Sequence, residues 1–186
     1  MYFNKSLKEY LDDLAAKLSA PGGGSAAALN AALGASLISM VINFTLGKPK
    51  YAAYENELRD SLLKSENLRG EFLKLVDLDV TAYQSKDIKS ALDVPQTVCK
   101  LCYEAINLCP ALISKGNINL ISDVAVAAIL LESAFTSAYF NVEINLKSFN
   151  DKTLTKSIRK ELTSKAKMVK KIRQLTEEKV GKIIRG

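Results

Sequence analysis

The chain has 186 residues, a formal net charge of +6 and 48% hydrophobic residues, with no histidine and no tryptophan. That length suits one domain with its own core. The lack of histidine excludes imidazole acid–base chemistry and makes a zinc site from the three cysteines improbable. The charge is uneven: residues 151–186 hold 12 Lys/Arg against 4 Asp/Glu, while the first 150 hold 14 against 16.

Phe3, Leu7, Tyr10, Leu11, Leu14 and Leu18 recur at helical spacing and predict a helix over 3–18, stopped before Pro21. Next comes Pro21-Gly22-Gly23-Gly24-Ser25. Three glycines predict a turn with φ > 0 and room for a close neighbour, with Ser25 as a candidate helix N-cap. A helix begun this way offers free N–H groups to a carboxylate or another anion. Neither the P-loop pattern nor GxGxxG is present. Ser25 to Leu46 contains 22 residues without a charge, long enough to cross a membrane. Its Asn30, Ser36, Ser39, Asn43 and Thr45 favour instead a helix of small residues buried on most sides, which points to packing between subunits.

Gly47-Lys48-Pro49-Lys50 breaks that helix, and the apolar period predicts the next from Tyr51 to Ser85, softened at Gly70. Asp79 lies in its inward stripe, three residues after Val76 and four before Tyr83, so it is either ligand-facing or paired inside. A short helix or turn over 87–93 should end at Pro95, followed by a helix to Cys109, a kink at Pro110 and a brief continuation over 111–115. Cys99, Cys102 and Cys109 read as core thiols in a cytoplasmic, reducing setting. After the Gly116-Asn117-Ile118-Asn119 turn, a helix runs from Ser122 or Asp123 to about Asn145. Asp123, Ala127, Ala134, Ser137, Asn141 and Asn145 fall along one line of it, as in a cleft wall or a tight interface. The chain breaks and restarts over 151–157, and a basic final helix spans about 155–185. Its lysines have no interleaved aromatics, so neither a nucleic-acid surface nor a membrane span is expected. Strand signals are nearly absent, and the fold class is all-α: one helical bundle over residues 1–186.

Four stretches together resemble the cyclodeaminase/cyclohydrolase family, found as the C-terminal half of formiminotransferase-cyclodeaminase and as free-standing methenyltetrahydrofolate cyclohydrolases. They are Pro21–Leu29, continuing through Ala32–Ala35, Met40-Val41, Thr45, Gly47-Lys48 and Tyr51; Asp79–Tyr83, where the family usually reads Asp-Ala-x-Ala-Phe; Gly116-Asn117-x-Asn119 with Ser122–Val126; and Asn141–Leu146. The resemblance implies an all-helical homodimer with a tetrahydrofolate substrate, with or without a polyglutamate tail, bound near the interface. It gives Asp79 the catalytic role and places Gly22, Gly23, Gly24 and Ser25 near the folate. Asn117, Asn119 and Asn141 are further candidates for substrate binding. No metal or further cofactor is expected.

The chemistry asks for few groups. Hydrolysis of the 5,10-methenyl bridge to 10-formyltetrahydrofolate needs an anion beside the cation and a proton acceptor for water. Asp79 can serve as both if burial raises its pKa. Asp123 is the candidate second carboxylate, holding pterin N–H groups or remaining ionised. Cyclodeamination closes the same ring from the formimidoyl side and expels ammonia with the same groups. The free-standing form favours cyclohydrolase, with cyclodeaminase as the alternative reaction and a non-enzymatic helical scaffold or basic binding module as the alternative class.

Overall fold

In the computed structural model, which covers Met1–Gly186, four of the seven helices start where a side chain or a tertiary neighbour satisfies one or more of their first N–H groups. Ser6 begins α1, Leu7–Ala15, through a reciprocal capping box with Glu9. This helix is shorter than the expected 3–18. Residues Tyr2–Asn4 form a separate 3₁₀ turn, and the Asp77 carboxylate accepts hydrogen bonds from the Tyr2 and Phe3 N–H groups. Of the apolar stripe only Tyr10 is buried; Phe3, Leu7, Leu11 and Leu18 are exposed.

Helix α2, Gly23–Asn43, has Gly22 as its N-cap, so Ser25 lies inside the first turn instead of capping it. Gly22 is extended (φ −139°, ψ −161°), and none of Gly22, Gly23 and Gly24 has a positive φ. The expected left-handed turn is therefore absent. The first positive φ comes at Gly47 (75°), where the chain turns after α2. Pro49–Tyr54 forms a 3₁₀ segment, so α3 starts at Glu55 and runs to Ser85 without a break at Gly70.

Helix α4, Ile88–Ile106, contains Pro95 in its interior, where a break was expected. A proline inside a helix withdraws the N–H that its i−4 carbonyl should receive. Here that carbonyl belongs to Ala91, and Asn145 Nδ2 donates to it instead. Short α5, Cys109–Lys115, leads to the Asn117 turn and to α6, Ile121–Leu146. Asp151 caps α7, Lys152–Arg185, by accepting from the Thr153 and Leu154 N–H groups, so this helix starts earlier than the sequence suggested.

The seven helices form an all-α bundle without strands, as expected. Helix α2 packs against both α3 and α6, α4 against α6 and α3, and α7 against α6 with further contacts to α4 and α5. Small residues bring the central helices close. A Cβ on Gly34 would lie 2.8 Å from Leu131 Cγ and 3.2 Å from the Ala127 carbonyl oxygen. Ala27, Ala28, Ala31 and Ala35 meet this side of the core with Ala127, Ala128, Ala134 and Ala138 of α6, all buried. Across α2 and α3, Ser39 and Ser65 share a buried hydroxyl contact, and Ser65 also donates to the Ala35 carbonyl.

One apolar face stays uncovered. The most apolar stretch of α2 is 61% buried, but that of α6 is only 39% buried. Leu33, Phe44, Val126, Ile129, Phe140 and Ile144 are exposed along these two helices.

Candidate active site

Asp79 of α3 and the first turn of α2 meet at one end of the bundle. The Ser25 N–H donates to Asp79 Oδ2 at 2.8 Å. The carboxylate thus takes up one of the orphan N–H groups that every helix start presents. Glycine 24 makes the approach possible: a Cβ there would stand 2.0 Å from Asp79 Oδ1, 2.6 Å from Cγ and 2.9 Å from Oδ2. A Cβ on Gly23 would sit 3.8 Å from the Asn141 side-chain amide, an ordinary contact, and one on Gly22 would meet nothing within 4 Å. The three glycines therefore differ. Gly24 is excluded from carrying a side chain by the carboxylate itself, and Gly23 faces Asn141 of α6. Asn141 Nδ2 donates to the Ser137 carbonyl, leaving its amide oxygen beside the glycine turn.

Two opposed effects act on Asp79. Burial against the apolar face of α3 raises its carboxyl above the ordinary aspartate range, and the hydrogen bond from the Ser25 N–H partly offsets this. Burial is the larger effect. Behind the turn, the buried Tyr10 hydroxyl lies 3.1 Å from Ser25 Oγ. Burial raises the Tyr10 phenol, the Ser25 hydrogen bond lowers it, and the nearby Asp79 raises it further. Tyr10, Ser25, Gly24 and Asp79 form one connected unit. The sequence signal for Tyr10 was only its place in the α1 stripe, which also fits a core residue.

The remaining candidates lie elsewhere in the subunit. The Asn117 N–H donates to Thr45 Oγ1 at 2.8 Å, Asn117 Nδ2 donates to the Phe44 carbonyl, and the Asn119 N–H donates back to Asn117 Oδ1. Tyr51 accepts from the Ile118 N–H through its hydroxyl oxygen. These bonds lock the Thr45–Tyr51 stretch to the Gly116–Asn119 turn, so the first and third matching stretches hold each other. Asn117 is buried and its side chain serves the turn; Asn119 is exposed, and half-buried Asp123 lies in the first turn of α6. This cluster belongs to the C-terminal end of α2, while Asp79 belongs to its N-terminal end. The 21 residues of α2 separate the two ends by about 30 Å at 1.5 Å per residue. Asp123 is thus not the partner of Asp79 within one subunit, because α6 runs antiparallel to α2 and carries Asn141, not Asp123, to the glycine turn.

The unit at the glycine turn has recognisable relatives. The family model described as formiminotransferase-cyclodeaminase matches residues 6–87 and 84–164. A methenyltetrahydrofolate cyclohydrolase of Methylorubrum extorquens is 36% identical over 182 residues, covering 86% of this chain and 88% of that protein. A formimidoyltransferase-cyclodeaminase of Rattus norvegicus is 31% identical over 86% of this chain, which spans only 34% of the rat protein. The crystal structure of a formiminotetrahydrofolate cyclodeaminase of Thermotoga maritima superposes with a TM-score of 0.94 at 28% identity, covering 99% of this chain and 100% of that one. The matched residues take in Asp79, the glycine turn and the Asn117 turn alike, and the match extends over nearly the whole bundle: the chain belongs to the formiminotransferase-cyclodeaminase family.

Proposed function

We propose that this enzyme closes the ring of 5-formimidoyltetrahydrofolate and releases ammonia, with Asp79 as the proton-transfer group. The observation that carries the reading is the Asp79 carboxyl, raised by burial yet held in place by the Ser25 N–H. In cyclodeamination N10 attacks the formimidoyl carbon and loses a proton, the C–N10 bond forms, and the bond to the formimidoyl nitrogen breaks. The departing nitrogen starts as =NH and must gain two protons to leave as ammonia, the one that N10 gives up and one from solvent. A carboxyl with a raised pKa is suited to relay them, delivering its own proton and taking up the one from N10. The 5,10-methenyl cation that results would then lie beside the carboxylate.

The length of the match does not separate this reaction from methenyl hydrolysis, because the Thermotoga cyclodeaminase chain is matched over its whole length. Cyclohydrolase remains the second reading. It is supported by the cyclohydrolase relative at 36% identity, matched over 88% of its length. In that direction water adds to the bridge carbon, a proton passes to Asp79, and the bond to N5 breaks with protonation of N5. Both substrates should be offered to the purified protein, following ammonia release from one and loss of methenyl absorbance from the other above the spontaneous rate. Ammonia release that depends on Asp79 supports the first reading. Accelerated methenyl hydrolysis without ammonia release replaces it with the second.

The site reading includes a homodimer. The exposed apolar residues of α2 and α6 motivate it, since a second copy packed antiparallel along α2 would cover them. The same symmetry would carry the C-terminal end of one α2 to the N-terminal end of the other, setting Asp123 and Asn119 of the partner subunit near Asp79. Sedimentation equilibrium at low micromolar concentration should give twice the chain mass. A stable helical monomer that retains activity would remove the interface from the site.

A further inference from the structure

Asp77 is a buried carboxylate that the proposed proton transfer does not use. It is 8% exposed, and its two side-chain oxygens accept from the Tyr2 and Phe3 N–H groups. A carboxylate out of water is costly unless its hydrogen bonds are made, so it holds the Tyr2–Asn4 turn where those donors reach it. At about 100° per residue, Asp77 and Asp79 point to different sides of α3, with Val76 between them on the helix surface.

The turn ties α1 to the bundle. On one side it is pinned to α3 through Asp77. On the other, the Tyr2 hydroxyl donates to Asp13 Oδ2 of α1 at 2.9 Å, and Lys5 Nζ lies 3.4 Å from the same oxygen and 5.0 Å from the centre of the Tyr2 ring. Tyr10 is the one buried residue of α1. The Tyr2 ring meets it edge-on, with centroids 5.1 Å apart and planes at 89°. The Tyr10 hydroxyl in turn lies 3.1 Å from Ser25 Oγ, and the Ser25 N–H holds Asp79 Oδ2. Packing alone does not fix Tyr10, because a recess of about 200 Å³, lined in part by Tyr2, Tyr10, Leu29, Leu73 and Val76, lies beside its ring. The ring has room to turn away unless Tyr2 stays in place.

We propose that Asp77 is a positioning residue for Asp79: by pinning the Tyr2–Asn4 turn it keeps Tyr10 on Ser25, and with it the N–H group that holds the Asp79 carboxylate. The assignment rests on the reading of Asp79 as the proton-transfer group, and it gives Asp77 no proton transfer of its own. The Ser25 N–H is what opposes burial at Asp79, so loosening it raises that carboxyl further. Tyr10 of α1 is the titratable group that faces Asp79, and its own raised phenol stays uncharged at neutral pH. The first turn of α2 and Asn141 of α6 bring no charge.

Steady-state kinetics across pH test this, following ammonia release from 5-formimidoyltetrahydrofolate and hydrolysis of 5,10-methenyltetrahydrofolate by wild type, Asp77→Ala, Tyr2→Ala and Tyr10→Phe. Each variant should lose about two- to tenfold in kcat, the scale of one hydrogen bond, with KM within about twofold of wild type. The limb of the pH–rate profile that Asp79→Asn abolishes should move to higher pH. Asp77→Ala combined with Tyr10→Phe should lose no more than the larger single loss, because both act through one contact chain. In an Asp79→Asn background neither substitution should lower kcat further. Tyr2→Ala leaves Asp77 and its N–H partners intact, so it tests the same link even if Asp77→Ala does not fold. A wild-type kcat and pH limb in folded Asp77→Ala or Tyr2→Ala overturns the proposal and leaves the Asp79 reading standing. So does a loss that leaves the limb in place, or one of equal size with and without Asp79. Full turnover by Asp79→Asn, or no acceleration of either substrate by wild type, removes the Asp79 reading and this proposal together.

Discussion

Gly24→Ala is the sharpest perturbation of the site, because it adds one methyl group at a position where the structure has no room. The added Cβ would lie 2.0 Å from Asp79 Oδ1 and 2.6 Å from Cγ. The carboxylate must swing away, and the Ser25 N–H to Oδ2 bond of 2.8 Å goes with it. Losing a hydrogen bond to a charged group costs about 1.5–3 kcal/mol. Alanine in place of glycine in a helix returns about 0.5–1 kcal/mol. Net destabilisation should therefore be only about 0.5–2.5 kcal/mol, leaving a folded protein. Activity should fall much further, by about 10² to 10⁴, the usual contribution of a general acid–base group. Gly23→Ala is the control: its Cβ would sit 3.8 Å from the Asn141 amide, so turnover should be retained and stability should rise slightly. Thermal unfolding and ammonia release from 5-formimidoyltetrahydrofolate, measured on the same preparations, separate the two effects. A folded Gly24→Ala protein with wild-type turnover on both candidate substrates would show that the position of Asp79 does not matter.

Asp79→Asn should lower turnover by about 10² to 10⁴ while leaving the protein folded. Because the folded-state carboxyl is raised above its unfolded value, its contribution to stability is complete below the ordinary aspartate pKa and declines as pH rises through the raised one. Chemical unfolding across that window should show wild type losing stability relative to Asp79→Asn as pH increases; parallel curves would contradict the burial argument. Asn145→Leu should destabilise by about 1–3 kcal/mol, since it strands the Ala91 carbonyl that Pro95 leaves without a donor. In a double-mutant cycle Pro95→Ala should recover part of that loss, and strict additivity would mean the two residues are not coupled. Burial pushes the Cys99 and Cys109 thiols up to about 12 and Cys102 well above its ordinary value. A chromogenic disulfide should therefore label none of the three in native protein at neutral pH and all three in denaturant; rapid native labelling would reveal an opening the packing does not contain.

The helical class was legible because every long segment repeats its apolar residues at the helical period, and Asp79 was legible because a carboxylate in such a stripe is anomalous. What the sequence hid was mostly tertiary. Pro95 reads locally as a stop, but the donor that rescues the helix sits on Asn145, far along the chain in α6. The three glycines read locally as a left-handed turn, but the requirement at Gly24 comes from Asp79 across the interface between α2 and α3. Ser25 looks like a cap by composition; the helix starts earlier because the carboxylate of Asp79, not the hydroxyl of Ser25, serves the first turn. Asp123 fell on the same line of α6 as Asn141. That line is a whole helix long, and the pattern alone cannot say which of its ends meets the glycine turn.

On the proposed reading, in which Asp79 is the proton-transfer group, the opposed effects on it bear directly on how one carboxyl can serve either reaction. With no cation present, burial outweighs the Ser25 N–H, and the carboxyl holds its proton more firmly than an exposed aspartate would. As the ring closes, positive charge develops at the bridge carbon beside it. An approaching cation stabilises the carboxylate and makes the proton easier to give up. The carboxyl therefore becomes a stronger acid as the departing nitrogen needs a proton, without any rearrangement of the protein. In the hydrolytic direction the sequence reverses. The methenyl cation keeps Asp79 ionised and ready to take a proton from water, and the carboxyl regains its affinity for protons as the charge is lost. Gly24 leaves room for the carboxylate against a helix N-terminus, and the Ser25 N–H holds its Oδ2 there. Cyclodeamination and cyclohydrolysis thus ask the same geometry for opposite proton transfers, which is why residues at the glycine turn alone do not distinguish them.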